Sequence, residues 1–343
     1  MGDDIFMSYF DELYDDYGKD ETLSPLNEEF CKTLAREIIS SKNVLFLTGA
    51  GISVSAGIPD FRSNEGIWKK YDPSVYGTLT GFLAHPQNFW KMGMELHSSI
   101  EDKVPTKTHS AITKLQKFGK LGHIITQNVD GLHQVSGSLN VTEIHGNTRR
   151  CKCIDCGFVQ SCSEILKKYP QPWLDVPHCP QCAGLMKLDV VLFGEELNKP
   201  YFDETLDLVK KCDLLIIVGS SLEVNPVNMF PLIAQMNKAK VALVNLTETK
   251  CDDLCDYVIR GESDVLIPKI VDYVDQMMNG KELSIFQQVK NVFTFQSGVL
   301  KYVKKIYEFT RDCVCGVLDI GIKQVQLFLD EMKQNLPKLL KDD

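Results

Sequence analysis

No run of this 343-residue chain reaches the roughly 18–20 consecutive apolar residues that a membrane-crossing helix needs. Its opening, "MGDDIF", lacks the basic-then-apolar pattern of a secretory leader, and Phe6 stands where a myristoylation signal wants Ser or Thr. No dense Lys/Arg run marks a nuclear address or a nucleic-acid surface. The expectation is therefore no membrane span and no direct contact with nucleic acid. An excess of cations is also missing. The net charge is −9, and residues 1–30 carry all of it, with ten Asp/Glu against one Lys. That composition reads as a solvated tail over 1–27, with partner docking as the sharper alternative. Twelve cysteines without a leader point to a reducing compartment, cytoplasmic or nuclear or both, where thiols bind metal or stay free.

What is present is a rhythm of short β-branched runs: "NVLFLTG", "GHIITQ", "DLLIIVGSS", "KVALVNLT" and "DYVIRG". Helix-period segments lie between several of them, as in Phe30, Leu34 and Ile38, in Ala111, Leu115 and Phe118, and in Phe202, Leu206 and Val209. Alternation of this kind predicts an α/β fold, a Rossmann-like parallel sheet with helices on both faces. Residues 28–279 are expected to form that domain. Two pieces interrupt it: a loop followed by helices over 62–105, and a Cys-, Pro- and Gly-rich module over 148–189. A C-terminal helical extension is expected over 280–343, whose apolar face packs on its own domain, with self-association or membrane-surface contact as the alternatives. Cys313 and Cys315 there read as small buried hydrophobes.

The stretch Gly49–Ser63, "GAGISVSAGIPDFRS", follows the first apolar run. A glycine turn between a strand and a helix lets backbone approach a pyrophosphate and aims N–H groups at it. The dinucleotide fingerprint is incomplete, however: Val54 occupies the third glycine position, and no acid follows about 20 residues on. Instead Asp60, Phe61 and Arg62 crowd the cofactor's path, which disfavours hydride transfer. Two further groups follow, "TQNVDGLH" (Thr126–His133) and "EIHGN" (Glu143–Asn147). Asn128 and Asp130 together can read a carboxamide, one donating and accepting, the other accepting from NH₂. Taken singly, either suits a turn. Two C-x₂-C pairs, Cys153/Cys156 and Cys179/Cys182, have the spacing of a closed structural zinc site, a zinc-ribbon module with one Zn²⁺ per chain. Cys151 and Cys162 are extra thiols, and either could substitute as a ligand.

Taken in order, Gly49–Ser63, Gln127–Asp130, His145–Gly146, "LFGE" (Leu192–Glu195), "VGSSLEVNPV" (Val218–Val227) and "VN" (Val244–Asn245) resemble the sirtuins, NAD-dependent protein lysine deacylases. The resemblance covers about residues 28–276. "GAGISVSAGIPDFRS" and "KYDP" look most like the eukaryotic class I branch. It implies that NAD is a co-substrate, cleaved to nicotinamide while the acyl oxygen of a substrate lysine attacks C1′ of the ribose. Capture by the 2′-oxygen and hydrolysis then release lysine and 2′-O-acyl-ADP-ribose.

The resemblance also assigns residues. His145 is the general base, suited by an ordinary pKa of ~6.5. Gln127 holds a ribose hydroxyl, Asn128 and Asp130 grip the carboxamide, and Ile58 backs it. Asn128 also counts with His145 among the catalytic residues. Phe61 shields C1′, while Arg62 and Ser53 steady phosphates and ribose. Gly49, Ala50, Gly51, Ile52 and Asp60 belong to the cofactor loop. Gly219, Ser220 and Ser221 hold phosphate, Asn245 meets the adenosine ribose, and Ser263 falls near the adenine. The family places its first zinc ligand eight residues after the histidine, which selects Cys153 over Cys151. A peptide bearing acylated lysine, from a histone or another protein, enters as a strand between Phe193–Glu196 and Glu223–Pro226. Phe193, Gly194, Glu195, Glu223, Val224 and Asn225 meet it there, and Val191 and Phe193 line the acyl-lysine tunnel. Family members that remove acidic acyl groups carry a Tyr and an Arg where this chain, aligned on Trp90, has Gly93 and Leu96. Neutral acyl groups, acetyl or longer, are therefore expected. The alternative reading is a protein ADP-ribosyltransferase or NAD hydrolase on the same fold.

Overall fold

The computed structural model describes residues 23–63 and 66–279. The residues expected to form the acidic tail up to 22, and the C-terminal extension with Cys313 and Cys315, lie outside the described residues. The first helix, α1 (Pro25–Ser40), begins within the stretch read as tail. Ser24 caps it, its hydroxyl accepting from the Asn27 N–H at 3.2 Å, and Pro25 opens its first turn.

The chain continues through β1 (Val44–Thr48), three short helices and then two longer ones: α2 (Ile67–Lys70), α3 (Pro73–Tyr76), α4 (Leu79–Ala84), α5 (Pro86–Ile100) and α6 (Lys107–Lys117). Next come β2 (His123–Thr126), α7 (Leu132–Val135) and β3 (Val141–Glu143). The cysteine-rich module follows as β4 (Gly146–Cys153), β5 (Val159–Ser161), α8 (Cys162–Lys168) and β6 (Met186–Val190). The chain then returns through α9 (Lys199–Lys211), β7 (Leu214–Val218), α10 (Phe230–Met236), β8 (Lys240–Asn245), β9 (Tyr257–Arg260) and α11 (Ser263–Met278).

Six of these strands form one parallel sheet in the order β3-β2-β1-β7-β8-β9. β1 and β7 are buried at every position, as strands covered on both faces must be. Side chains alternate between the two covers. Val44, Phe46 and Ile216 pack with Leu34 of α1, Ile112 of α6 and Ile267 of α11. Leu45, Leu47 and Ile217 pack on the other face with Val209 of α9 and Phe230 of α10. All five strands expected from the sequence are present, and β3 adds an edge strand that the sequence reading did not anticipate. Chain order reverses at β1, which pairs with β2 on one side and β7 on the other. A crevice opens outside the carboxyl ends of such strands.

The second lobe joins the two interruptions. α2–α5 pack against the antiparallel sheet β5-β4-β6, which runs from Gly146 to Val190, slightly beyond the 148–189 read from composition. Phe82, Phe89 and Trp90 share one core with Ile165 and Leu188. The buried Trp90 indole donates to the Met186 carbonyl at 3.1 Å.

Candidate active site at the carboxyl ends of the parallel strands

The loop after β1 and the loop after β7 interlock. The Gly49 N–H donates to Val218 O at 3.0 Å and the Gly51 N–H to Gly219 O at 2.8 Å. A Cβ on Gly49 would stand 2.6 Å from the Gly219 oxygen, and one on Gly51 would stand 2.8 Å from Gly219 Cα. Glycine at these positions is what lets the two turns dock against each other. The Gly49, Gly51, Ile52 and Ser53 N–H groups are all spent on protein carbonyls, and that of Ala50 is not among these bonds. Asp60 also turns inward: its Oδ1 accepts from the Arg62 and Ser63 N–H groups at 3.0 and 2.8 Å, which shapes the loop. Ile52 is wholly buried and packs in the core beneath the loop.

Residues from β1, β2 and β7 then converge. Asn128 Nδ2 donates to Ser53 Oγ at 3.1 Å, and the Ser53 hydroxyl donates to Asp130 Oδ2 at 2.8 Å. The other Asp130 oxygen accepts from the Leu132 N–H at 2.9 Å. All three side chains are buried, with Ile58 packed among Val129 and Leu96 beside them. The trio leaves one Asn128 N–H, Asn128 Oδ1 and spare carboxylate lone pairs outside these bonds, a donor and acceptor set that fits a carboxamide. Gln127 Nε2 donates to Ser220 Oγ at 2.7 Å, linking the loops after β2 and β7.

His145 stands between β3 and β4. Its Nδ1 lies 3.2 Å from the Gln127 carbonyl, which can only accept, so Nδ1 carries the proton and Nε2 is the acceptor. Burial and the nearby Arg62 charge pull its pKa below the ordinary imidazole value, while the Gln127 carbonyl pulls the other way. A neutral base results. Gly146 follows at φ +85°, and a Cβ there would overlap the Asp189 carbonyl, so only glycine lets β4 start against β6.

His145, Phe61, Arg62 and Gln127 border a cavity of about 510 Å³. Its apolar wall includes Trp68, Met92, Leu96, Val129 and Leu192, none of them singled out as site residues beforehand apart from Leu96. Trp68 stacks obliquely between Phe61 and Phe193, with centroids 5.5 and 6.1 Å away. An aromatic ring in the short helix that follows Gly66 was the signal available in the sequence. Val191, Phe193, Gly194, Glu195, Val224 and Asn225 line the same cavity. Arg62 pairs with Glu223 across its mouth at 3.0 Å, so two residues expected to serve different ligands meet each other. The Phe193 backbone is likewise engaged: its N–H donates to Gly77 O at 2.9 Å and its carbonyl accepts from the Leu79 N–H at 3.0 Å. Gly93 packs against Leu188 instead of facing the cavity, and a Cβ there would stand 2.8 Å from Leu188 Cδ1. Ser221 is exposed near Ser220. Asn245 ends β8 and Ser263 opens α11, both outside the cavity lining, with Asn245 donating to Thr247 O at 2.8 Å.

The thiols of Cys153, Cys156, Cys179 and Cys182 lie within 4.8 Å of one another. Cys153 Sγ is 3.5 Å from Cys182 Sγ, and Cys156 Sγ is 3.6 Å from Cys179 Sγ. A tetrahedron of thiolates about 2.3 Å from zinc has edges of about 3.8 Å, so the donor set fits the metal. Cys151 and Cys162 are buried outside this cluster. Four thiolates leave no open position, which makes the site structural.

Two other histidines sit near the trio without reaching the cavity. His109 and His133 are both buried, with ring centroids 4.8 Å apart. His133 Nε2 meets Thr48 Oγ1 at 2.9 Å. Among the described residues, His109 Nε2 and His133 Nδ1 have no hydrogen-bond partner.

Comparison with known proteins bears on the whole arrangement. A family model described as the Sir2 family matches residues 49–226. An NAD-dependent protein deacetylase of Sulfolobus acidocaldarius is 38% identical over 249 residues, covering 73% of this chain and 97% of its own length. An NAD-dependent protein deacylase 2 of Archaeoglobus fulgidus is 36% identical over 255 residues, covering 74% and 100%. A solved Sir2–p53 peptide–NAD⁺ complex superposes with a TM-score of 0.62 at 31% identity, covering 74% of this chain and 99% of that one.

Proposed function

The chain belongs to the Sir2 family, and from that premise we propose how its residues share the work of an NAD-dependent protein lysine deacylase. NAD is consumed, not recycled: the bond between nicotinamide and C1′ breaks, the acyl oxygen of a substrate lysine bonds to C1′, and the acyl group leaves on ADP-ribose. The buried Ser53, Asn128 and Asp130 trio holds the nicotinamide carboxamide, with Ile58 behind it. Ala50, Arg62, Ser220 and Ser221 take the phosphates, and Gln127 a ribose hydroxyl. Asn245 and Ser263 receive the adenosine end. The glycines Gly49, Gly51 and Gly219, with Asp60, act indirectly by shaping and docking the loops. Phe61, stacked on Trp68, covers the reacting carbon against water.

His145 supplies the proton acceptor, and the observation that carries the reading is its orientation. Nδ1 is committed to the Gln127 carbonyl, so the basic Nε2 is left to take a proton from the ribose hydroxyl that attacks the acyl carbon. Because burial and Arg62 hold its pKa down, the base is neutral near pH 7. Replacing His145 with Ala should cut deacylation by about two to four orders of magnitude. NAD binding, measured by calorimetry, should survive. Unchanged turnover would remove His145 from the mechanism.

The peptide enters between Gly194–Glu196 and Glu223–Asn225, and because Phe193's backbone is engaged, its pairing starts at Gly194. Val191 and Phe193 wall the acyl-lysine tunnel. Arg62 and Lys199 are the cations bordering the cavity, and Arg62 is paired, which favours neutral acyl groups. Cys153, Cys156, Cys179 and Cys182 hold structural Zn²⁺. The substrates are acylated lysines of proteins, histone or otherwise. Among the described residues none of the ten cysteines is joined in a disulfide, six of them stand outside the zinc set, and no helix is long and apolar enough to cross a membrane. The free thiols support a reducing compartment, cytosol or nucleus. Mass spectrometry separates this reading from ADP-ribosyl transfer or NAD hydrolysis: 2′-O-acyl-ADP-ribose forms only when the acyl group is transferred.

A further inference from the structure

Lys187 is 2% exposed, and it is the one lysine among the largest fully buried side chains of the described residues. A buried ammonium is costly unless it is paired and hydrogen-bonded, so its surroundings ought to show what it is for. Lys187 lies on β6, the strand that runs directly into the substrate loop, and its side chain reaches forward along the chain. Nζ donates to the Val190 carbonyl at 2.6 Å and pairs with Glu195 Oε2 at 3.1 Å. The same carboxylate oxygen accepts from the Leu192 N–H at 3.0 Å, and the Glu195 N–H donates back to the Leu192 carbonyl at 2.9 Å. The turn closes through Gly194 at φ +81°.

This ring of bonds encloses the residues that matter to the site. Within it, the Val191 N–H donates to the His145 carbonyl at 2.9 Å. Phe193 is bonded on both sides of its peptide to Gly77 and Leu79 of the helical insertion. The tunnel wall, the base and the insertion therefore meet on a six-residue stretch, Val190–Glu195, whose two ends are tied by the buried Lys187 ammonium, through the Val190 carbonyl and the partly exposed Glu195 carboxylate.

We propose that Lys187 is a positioning residue for the acyl-peptide site, acting through Glu195 to hold the tunnel wall in its receiving shape. It touches neither substrate nor cofactor. The proposal rests on the deacylase reading, and its test includes a binding measurement that does not depend on turnover. Lys187→Met keeps the length of the side chain and removes the charge and the donor. In the full-length, zinc-loaded chain, the affinity for a fluorescent acetyl-lysine peptide and the KM for that peptide should both worsen by about tenfold or more. Affinity for ADP-ribose should stay within about twofold and kcat within about threefold, with the zinc content and melting temperature checked alongside. Lys187→Arg, which restores a cation and donors, should recover most of the peptide affinity.

Glu195→Gln is the companion variant, because Glu195 is less buried than Lys187. It should weaken the peptide in the same direction, and the double variant should be no worse than the poorer single one, since the pair acts as a unit. Unchanged peptide affinity in Lys187→Met would overturn the proposal. So would parallel losses of peptide and ADP-ribose affinity, or failure of both single variants to fold with zinc bound, because the pair would then be a general element of the core. A wild-type chain that binds the peptide but never releases nicotinamide would instead defeat the deacylase reading.

Discussion

Acid should destabilise this protein through His109 and His133, and the size of the effect follows from their burial. Both imidazoles are closed off from water, each faces the other, and each has one ring nitrogen without a partner. Burial pushes the His109 pKa down to about 3. Burial also drives His133 down, His109 adds to this, and Asp130 opposes it. In the unfolded chain each would titrate near ~6.5. Between those values the unfolded state binds protons that the folded state refuses, so stability rises with pH. The contribution is complete above about pH 6.5 and is lost as pH falls below it. Each group costs about 1.4 kcal/mol per pH unit in that window, so from pH 7.5 to 5.0 the pair removes about 4 kcal/mol, a large part of a typical domain's stability. His109→Gln should roughly halve this loss, to about 2 kcal/mol, because one of the two titrations disappears. The assay is urea unfolding of wild type and variant at both pH values, compared as the difference between their pH dependences, so that acid effects common to both cancel. Equal pH dependence in the two proteins, within about 0.5 kcal/mol, would refute the argument.

Removing zinc should disrupt the second lobe, because Cys153 and Cys156 sit at and just beyond the end of β4 and the same strand begins at Gly146, beside the base. Chelation should therefore abolish deacylation and expose Trp90, read by tryptophan fluorescence, with re-addition of zinc as the control; full activity in a metal-free sample would contradict it. Acetyl-lysine peptides should be turned over at least about tenfold faster than succinyl-lysine peptides of the same sequence, read by mass spectrometry of both products. Comparable rates would mean that Arg62 or Lys199, which border the cavity, meets the acyl carboxylate and the apolar wall does not select.

The sheet was legible because buried parallel strands carry an unbroken apolar signal, as "VLFLT" and "LLIIV" do. β3 was not, since "VTE" is three residues long and mixes polar with apolar. The zinc ligands were legible from spacing alone, yet choosing Cys153 over Cys151 needed the resemblance, because alternate residues of one strand look alike until the fold brings four thiols together. The site residues split in the same way. Asn128 and Asp130 singly suit turns, and His145 follows the mixed strand "VTE", so it was their order among the other motifs that singled them out. Trp68, Met92 and Val129 are apolar, and an apolar cavity wall reads like core until its cavity is seen. Lys187 was hidden differently: one lysine in "MKLDVV" says nothing about burial, which is set by Glu195, eight residues away. Asp60 bonds the backbone of its own loop and Gly49 and Gly51 meet the turn after β7, contacts that no spacing rule anticipates.

The interlocked turns after β1 and β7 change how loss-of-function data on this protein should be interpreted. Substituting Gly49, Gly51 or Gly219 drives a side chain into the opposing turn, so an inactive product there reports a misassembled crevice and says little about ligand contacts. A systematic mutational survey scored only by turnover would mark these positions as the most cofactor-sensitive in the chain. Scored by folded yield as well, they would sort with the scaffold, and the genuine recognition residues would be those whose variants accumulate normally yet fail to bind.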